Sequence, residues 1–163
     1  MYGIDQTRAR GIMQGVGRKT FDKQSVIFLY CMSVLLAFMT VYLIEDDEIY
    51  AEFVQRSLSR NPNFKIKSFK SAEDCLQNGN GSADAYIVDY RLPGKSGIEF
   101  YEEIKPRLKE ENKLIMMSAI DDGNMVLSFI KRGVRDYVIK DDNVIESLTA
   151  ILEGKEEDYY LFG

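Results

Sequence analysis

The sequence predicts an α/β fold: a doubly wound sheet of five parallel strands with helices on both faces. Three observations carry the prediction. Short strand-like runs alternate with helix-length segments five times along residues 39–154. The runs VYLI, AYIVD and KLIMMSA are almost entirely apolar, as strands covered on both faces must be. Five repeats of strand then helix leave a parallel sheet with crossover helices as the arrangement that buries them all.

From about Val41, VYLIED is an apolar run ending in acids. A helix follows from about Glu48 to Arg60, where Phe53, Val54 and Leu58 recur at helical spacing. After the turn Asn61-Pro62-Asn63, FKIKSF alternates strictly, which suits a half-exposed strand. SAEDCLQN opens on a serine cap, forms a short helix and stops at the turn formers NGNGS. AYIVD is a buried strand ending in an acid, and RLPGKSG is a loop by its proline and two glycines. A longer helix is expected from about Ile98 to Lys109, and KLIMMSA is the next buried strand. DDGNMVLSFIKRG is a helix closed by Gly133, RDYVIK a short strand, and DDNVIESLTAILEG a final amphipathic helix stopped by Gly154.

Composition narrows the chemistry. The 163 residues include no histidine, which excludes Ser-His-Asp and Cys-His catalysis and histidine-ligated zinc or iron. Cys31 and Cys75 stand far apart with no ligand spacing, so they read as reduced thiols. The net charge of −5 is uneven. Residues 1–38 carry five Lys/Arg against two Asp/Glu, and residues 39–163 carry sixteen against twenty-four. An acidic body offers no electrostatic footprint for nucleic acid. The charge break marks three parts: an N-terminal extension (1–38), a domain (39–154) and a short tail (155–163).

Parallel sheets bind ligands beyond the carboxyl ends of their strands, where the strand order reverses. Those positions hold Asp46 and Asp47 after the first strand, Asp89 after the third, Ser118 after the fourth and Lys140 after the fifth. A lone aspartate there is more often a helix cap, and a lone lysine a surface charge. Their joint placement at one rim points to a site. Two unit charges about 4 Å apart repel by roughly 4 kcal/mol at an effective dielectric of about 20. Clustered carboxylates therefore call for a cation. With oxygen ligands alone a hard ion is expected, and Mg2+ fits best. A carboxylate nucleophile needs no base to activate it, so the missing histidine is no obstacle. Lys140 and Ser118 could then hold phosphoryl oxygens.

These segments resemble a known family. YLIEDDE is similar to the acidic opening of bacterial two-component response regulator receiver domains, IVDYRLPGKSGIEF to their phosphoacceptor loop, MMSA to their hydroxyl strand and RDYVIK to their lysine strand. The resemblance covers about Thr40 to Gly154. It implies a flavodoxin-like sheet in the order 2-1-3-4-5, with Asp89 as phosphoacceptor. It further implies Mg2+ held by Asp46, Asp47, Asp89 and the Arg91 backbone carbonyl, and phosphoryl contacts from Ser118 and Lys140. Tyr137 matches the aromatic switch that turns inward as Ser118 moves, and Arg91 and Ile120 match positions that tune phosphoryl lifetime. Asp141 stands where many members have proline after the lysine.

By the same resemblance, a sensor histidine kinase or phosphotransfer protein would donate the phosphoryl group. The readout surface for a downstream protein would be the fourth helix, fifth strand and fifth helix, about Asp122 to Gly154. The chain would be no enzyme beyond its own phosphorylation and dephosphorylation, and its place cytoplasmic. The competing reading is a receiver-like interaction module that works without phosphorylation. A phosphatase of the haloacid-dehalogenase type would want an acid where Arg91 stands, and a flavin module a phosphate loop after the first strand. Residues 25–44 are nearly continuous in apolar character, but removing VYLI for the sheet leaves about fourteen, short of the roughly 20 that span a bilayer. The extension stays open between an extra helix packing on the domain or on a second copy in a homodimer, a start placed ahead of Met39, and a membrane anchor. Only KEEDYYLFG follows Gly154, so the expectation is a stand-alone, chemotaxis-regulator-like member.

Overall fold

A computed structural model of the chain describes residues 38–79, 83–120 and 122–155. Its elements alternate without exception: β1 (Met39–Ile44), α1 (Glu48–Leu58), β2 (Phe64–Phe69), α2 (Ala72–Asn78), β3 (Ala85–Asp89), α3 (Gly97–Ile104), β4 (Lys113–Ser118), α4 (Gly123–Arg132), β5 (Asp136–Ile139) and α5 (Val144–Glu153). The strands form one parallel sheet in the order β2-β1-β3-β4-β5. This is the doubly wound, flavodoxin-like architecture expected from the sequence.

Successive strand side chains point to opposite faces, so each buried strand feeds two cores. On one face Val41, Leu43, Ile87 and Met117 meet Val54 and Leu58 of α1 and Leu148 and Leu152 of α5. On the other, Tyr42, Ile44, Val88 and Met116 meet Cys75 of α2, Phe100 and Ile104 of α3 and Phe129 of α4. Fully buried side chains such as Phe100 and Leu148 each contribute about 1.5–3 kcal/mol relative to exposure. The edge strand β2 buries Phe64 and Phe69 at its two ends, on opposite faces of the sheet, and leaves Lys65 and Lys67 exposed.

Local signals set most helix ends. Ser71, Ser96 and Asp122 cap α2, α3 and α4, and Ser96 forms a reciprocal box with Glu99. Gly133 and Gly154 close α4 and α5 with positive φ, as expected. Two expectations need correction. The third helix does not run to Lys109: α3 ends at Ile104, and Lys105–Arg107 form a 3-10 turn. Pro106 is the reason, because it has no N–H for the next helical bond and its ring crowds the preceding turn. Phe53 is not core. Ala51, Val54 and Leu58 make the buried stripe of α1, while Phe53 is exposed and leans on Tyr50 with ring centroids 5.9 Å apart.

Cys75 is a free, buried thiol whose pKa burial pushes up to about 12, so it acts as a core residue. Residues 1–37 and 156–163 lie outside the described residues, and with them the readings of the extension and the tail. Among the described residues no helix is long and apolar enough to cross a membrane.

Candidate functional site

The strand order reverses between β1 and β3. The helix leaving β1 packs on one face and the helix leaving β3 on the other, which opens a crevice at their carboxyl ends. Asp89 ends β3 there and is 7% exposed. Its Oδ2 accepts from Lys140 Nζ at 2.7 Å, and its Oδ1 accepts from the Arg91 amide at 3.1 Å. Lys140 Nζ also donates to Glu45 Oε2 at 2.6 Å. Sheet pairing delivers the lysine: Ile139 pairs with Ser118, and the Lys140 amide donates to the Ser118 carbonyl at 2.8 Å. Neighbouring strands lie about 4.8 Å apart, so only a long side chain carries a charge from β5 past β4 to the crevice.

Carboxylate oxygens of Glu45, Asp46 and Asp89 all lie within 4.8 Å of one another. This corrects the expected acidic pair by one residue. Asp47 does not join the cluster. Its Oδ1 accepts from the amides of Ile49 and Tyr50 at 2.9 and 3.0 Å, which makes it the N-cap of α1. Glu45, overlooked in the sequence, takes its place. It is buried at 2% exposure, and its Oε1 accepts from the Asp47 amide at 3.4 Å.

Electrostatics make this a strained arrangement. Burial pushes the Glu45 pKa up to about 7, the Lys140 hydrogen bond opposes that, and repulsion from Asp89 adds to it. Burial alone would lower the Lys140 pKa, but its bonds to Asp89 and Glu45 outweigh that and raise it. Three carboxyl groups share a single ammonium. Such an all-oxygen donor set fits a hard divalent cation, and Glu45, Asp46 and Asp89 are the residues that could hold it.

Ser118 is buried at the end of β4, and its Oγ accepts from the Ile120 amide at 3.1 Å. Tyr137 donates its hydroxyl to the Ile120 carbonyl at 2.5 Å. The serine and the tyrosine therefore hold the same residue of the loop after β4. An aromatic row runs alongside. Tyr90, next to Asp89, lies 5.1 Å from Phe129 of α4, and Phe129 lies 5.7 Å from Tyr137 of β5. No periodicity in the sequence could have revealed that row, since its members come from three elements.

Comparison with known proteins now decides the family. The model of the response regulator receiver domain matches residues 41–152. The chain belongs to that family. The receiver is 31% identical over 106 residues to the transcriptional regulatory protein MalR of Bacillus subtilis, covering 63% of this chain and 44% of MalR. It is 25% identical over 115 residues to the chemotaxis protein CheY of Listeria monocytogenes, covering 68% of this chain and 96% of CheY. Among solved structures it resembles the BeF3-activated receiver domain of DrrB from Thermotoga maritima, with a TM-score of 0.64 and 27% identity, covering 74% of this chain and 98% of that one. The receiver spans about half or less of the first curated relatives it matches.

Within the receiver the structure brings together Asp46, Asp89 and Lys140 of the expected residues, with Ser118 on the adjoining strand end. Arg91 contributes its amide to Asp89. The Lys140–Asp141 peptide is trans, as are all others among the described residues.

Proposed function

We propose that Asp89 accepts a phosphoryl group from a histidine kinase or phosphotransfer protein, in a reaction that uses Mg2+. The observation that carries this reading is the shared ammonium: Lys140 Nζ bonds both Asp89 and Glu45 inside a crevice that also gathers Asp46. An Asp89 carboxylate oxygen attacks phosphorus and forms the O–P bond. The bond from phosphorus to the donor's imidazole nitrogen breaks, and its electron pair stays on that nitrogen. Lys140 moves from the carboxylate to one phosphoryl oxygen, and the Ser118 hydroxyl turns from Ile120 to another. Glu45, Asp46 and Asp89 would hold the metal, with the Arg91 carbonyl as a further ligand. Bound there, Mg2+ neutralises charge on the transferring group.

Release of Ser118 from the Ile120 amide frees the loop that Tyr137 also holds, so the modification is read on α4, β5 and α5. Leu127 and Ile130 on α4 and Ile120 before it are exposed apolar side chains, which supports this surface as the contact for a downstream protein. Chemistry on the chain is confined to its own phosphorylation and dephosphorylation. Incubation with acetyl phosphate and Mg2+ should add the mass of one phosphoryl group, and Asp89→Asn should abolish the gain. A gain that persists in the variant overturns the assignment.

A further inference from the structure

A lysine ammonium has three N–H donors, and two of them serve Glu45 at 2.6 Å and Asp89 at 2.7 Å. The third side of this ammonium has an aromatic wall: Nζ lies over the ring of Tyr50, 4.7 Å from its centroid. Tyr50 belongs to the first turn of α1, and its amide is one of the two that Asp47 caps. The cap that starts the helix thus also fixes where the ring emanates. Phe53, one turn on, braces it from outside. The Tyr50 hydroxyl is buried and has no hydrogen-bond partner among the described residues. What Tyr50 presents to the ammonium is its ring face, which attracts a cation within about 6 Å of its centroid.

We propose that Tyr50 is a positioning residue for Lys140, its ring keeping the ammonium beside Asp89 while the carboxylate turns into an acyl phosphate. The inference rests on the phosphoacceptor reading above. When Asp89 forms the new O–P bond, the oxygen it uses no longer carries a full charge, and its hold on Lys140 weakens. Glu45 and the new phosphoryl oxygens then both pull on the ammonium, Glu45 toward β1 and the phosphoryl group toward β3. The ring attracts the ammonium without a directional bond, so Nζ can slide along it from Asp89 Oδ2 to a phosphoryl oxygen and stay at the crevice.

The test compares Tyr50→Phe, which keeps the ring, with Tyr50→Leu and Tyr50→Met, which remove it. Phosphorylation rates are read by mass spectrometry with acetyl phosphate and Mg2+, and Mg2+ affinity by calorimetry. The ε-methylene protons of Lys140, assigned by their loss in Lys140→Arg, are followed by NMR. The leucine and methionine variants should phosphorylate roughly three- to thirtyfold more slowly, the range a desolvated cation–ring contact spans, at unchanged Mg2+ affinity. Tyr50→Phe should rescue the rate, because it keeps the ring. Ring-current shielding should move the Lys140 signal upfield in the tyrosine and phenylalanine proteins alone. The inference is overturned by wild-type rates in both ringless variants, by a phenylalanine variant as slow as they are, or by a Lys140 signal indifferent to the ring. A wild-type protein that takes no label would overturn the phosphoacceptor reading as well.

Discussion

Glu45→Gln in the metal-free protein should raise stability at pH 8 and leave it nearly unchanged near pH 4. In the folded chain burial moves this carboxyl from an ordinary 4.5 to about 7. At roughly 1.4 kcal/mol per pH unit, that displacement corresponds to about 3 kcal/mol. The side chain is 2% exposed, so solvent screening takes little from the figure. The sign follows from proton counting. As pH rises above 4.5 the unfolded chain gives up the Glu45 proton, while the folded chain keeps it until about 7. The native state binds more protons over that window, so stability falls with rising pH and the loss is complete above about 7. Glutamine has no proton to lose and should show no such fall. A domain of this size shifts its melting temperature by a few degrees per kcal/mol, so the variant should melt about 10 °C higher at pH 8 in EDTA. Saturating Mg2+ should narrow the gap, because it binds more tightly to the protein that keeps all three carboxylates. Thermal melts from pH 4.5 to 8.5, with and without the ion, measure all of this. A gap that stays constant with pH, or a variant that melts lower in EDTA at pH 8, refutes the reasoning.

Adjacent aspartates should fail in different ways. Asp46→Ala should lose most Mg2+ affinity with little effect on stability, whereas Asp47→Ala should cost about 1 kcal/mol by uncapping α1 and keep the ion site; calorimetric titration and urea unfolding of each separate the two. Gly97→Ala places a Cβ 2.3 Å from the Asp89 carbonyl oxygen and 3.0 Å from Met116 Sδ. Backbone must move to admit it, so a loss of about 1–3 kcal/mol in urea unfolding and slower labelling of Asp89 are expected.

The sheet and most of the site were legible because strand and helix periods differ and because chemistry-bearing residues sit directly after strands. Asp89 and Lys140 needed nothing more. The acidic pair slipped by one because Glu45 to Glu48 are four acids in a row, and strand pattern alone does not choose among the frames. The deciding signal was present in the helix start. With α1 beginning at Glu48, the residue before it is a cap by default, which removes Asp47 from the ion site and hands the place to Glu45. Pro106 likewise announced the early end of α3. Tyr50 was not legible. A helical pattern says that a side chain lies along one stripe, but the identity of its neighbour depends on a lysine 90 residues later in the chain. The row Tyr90, Phe129 and Tyr137 is hidden for the same reason.

The ammonium at the crevice joins residues 95 and 51 positions apart in the chain. Neither bond can form until β1, β3 and β5 have taken their places, and β5 is the last of the sheet's five strands in chain order. The site is thus a late product of folding: a half-melted copy has its aspartate but lacks the counterion beside it.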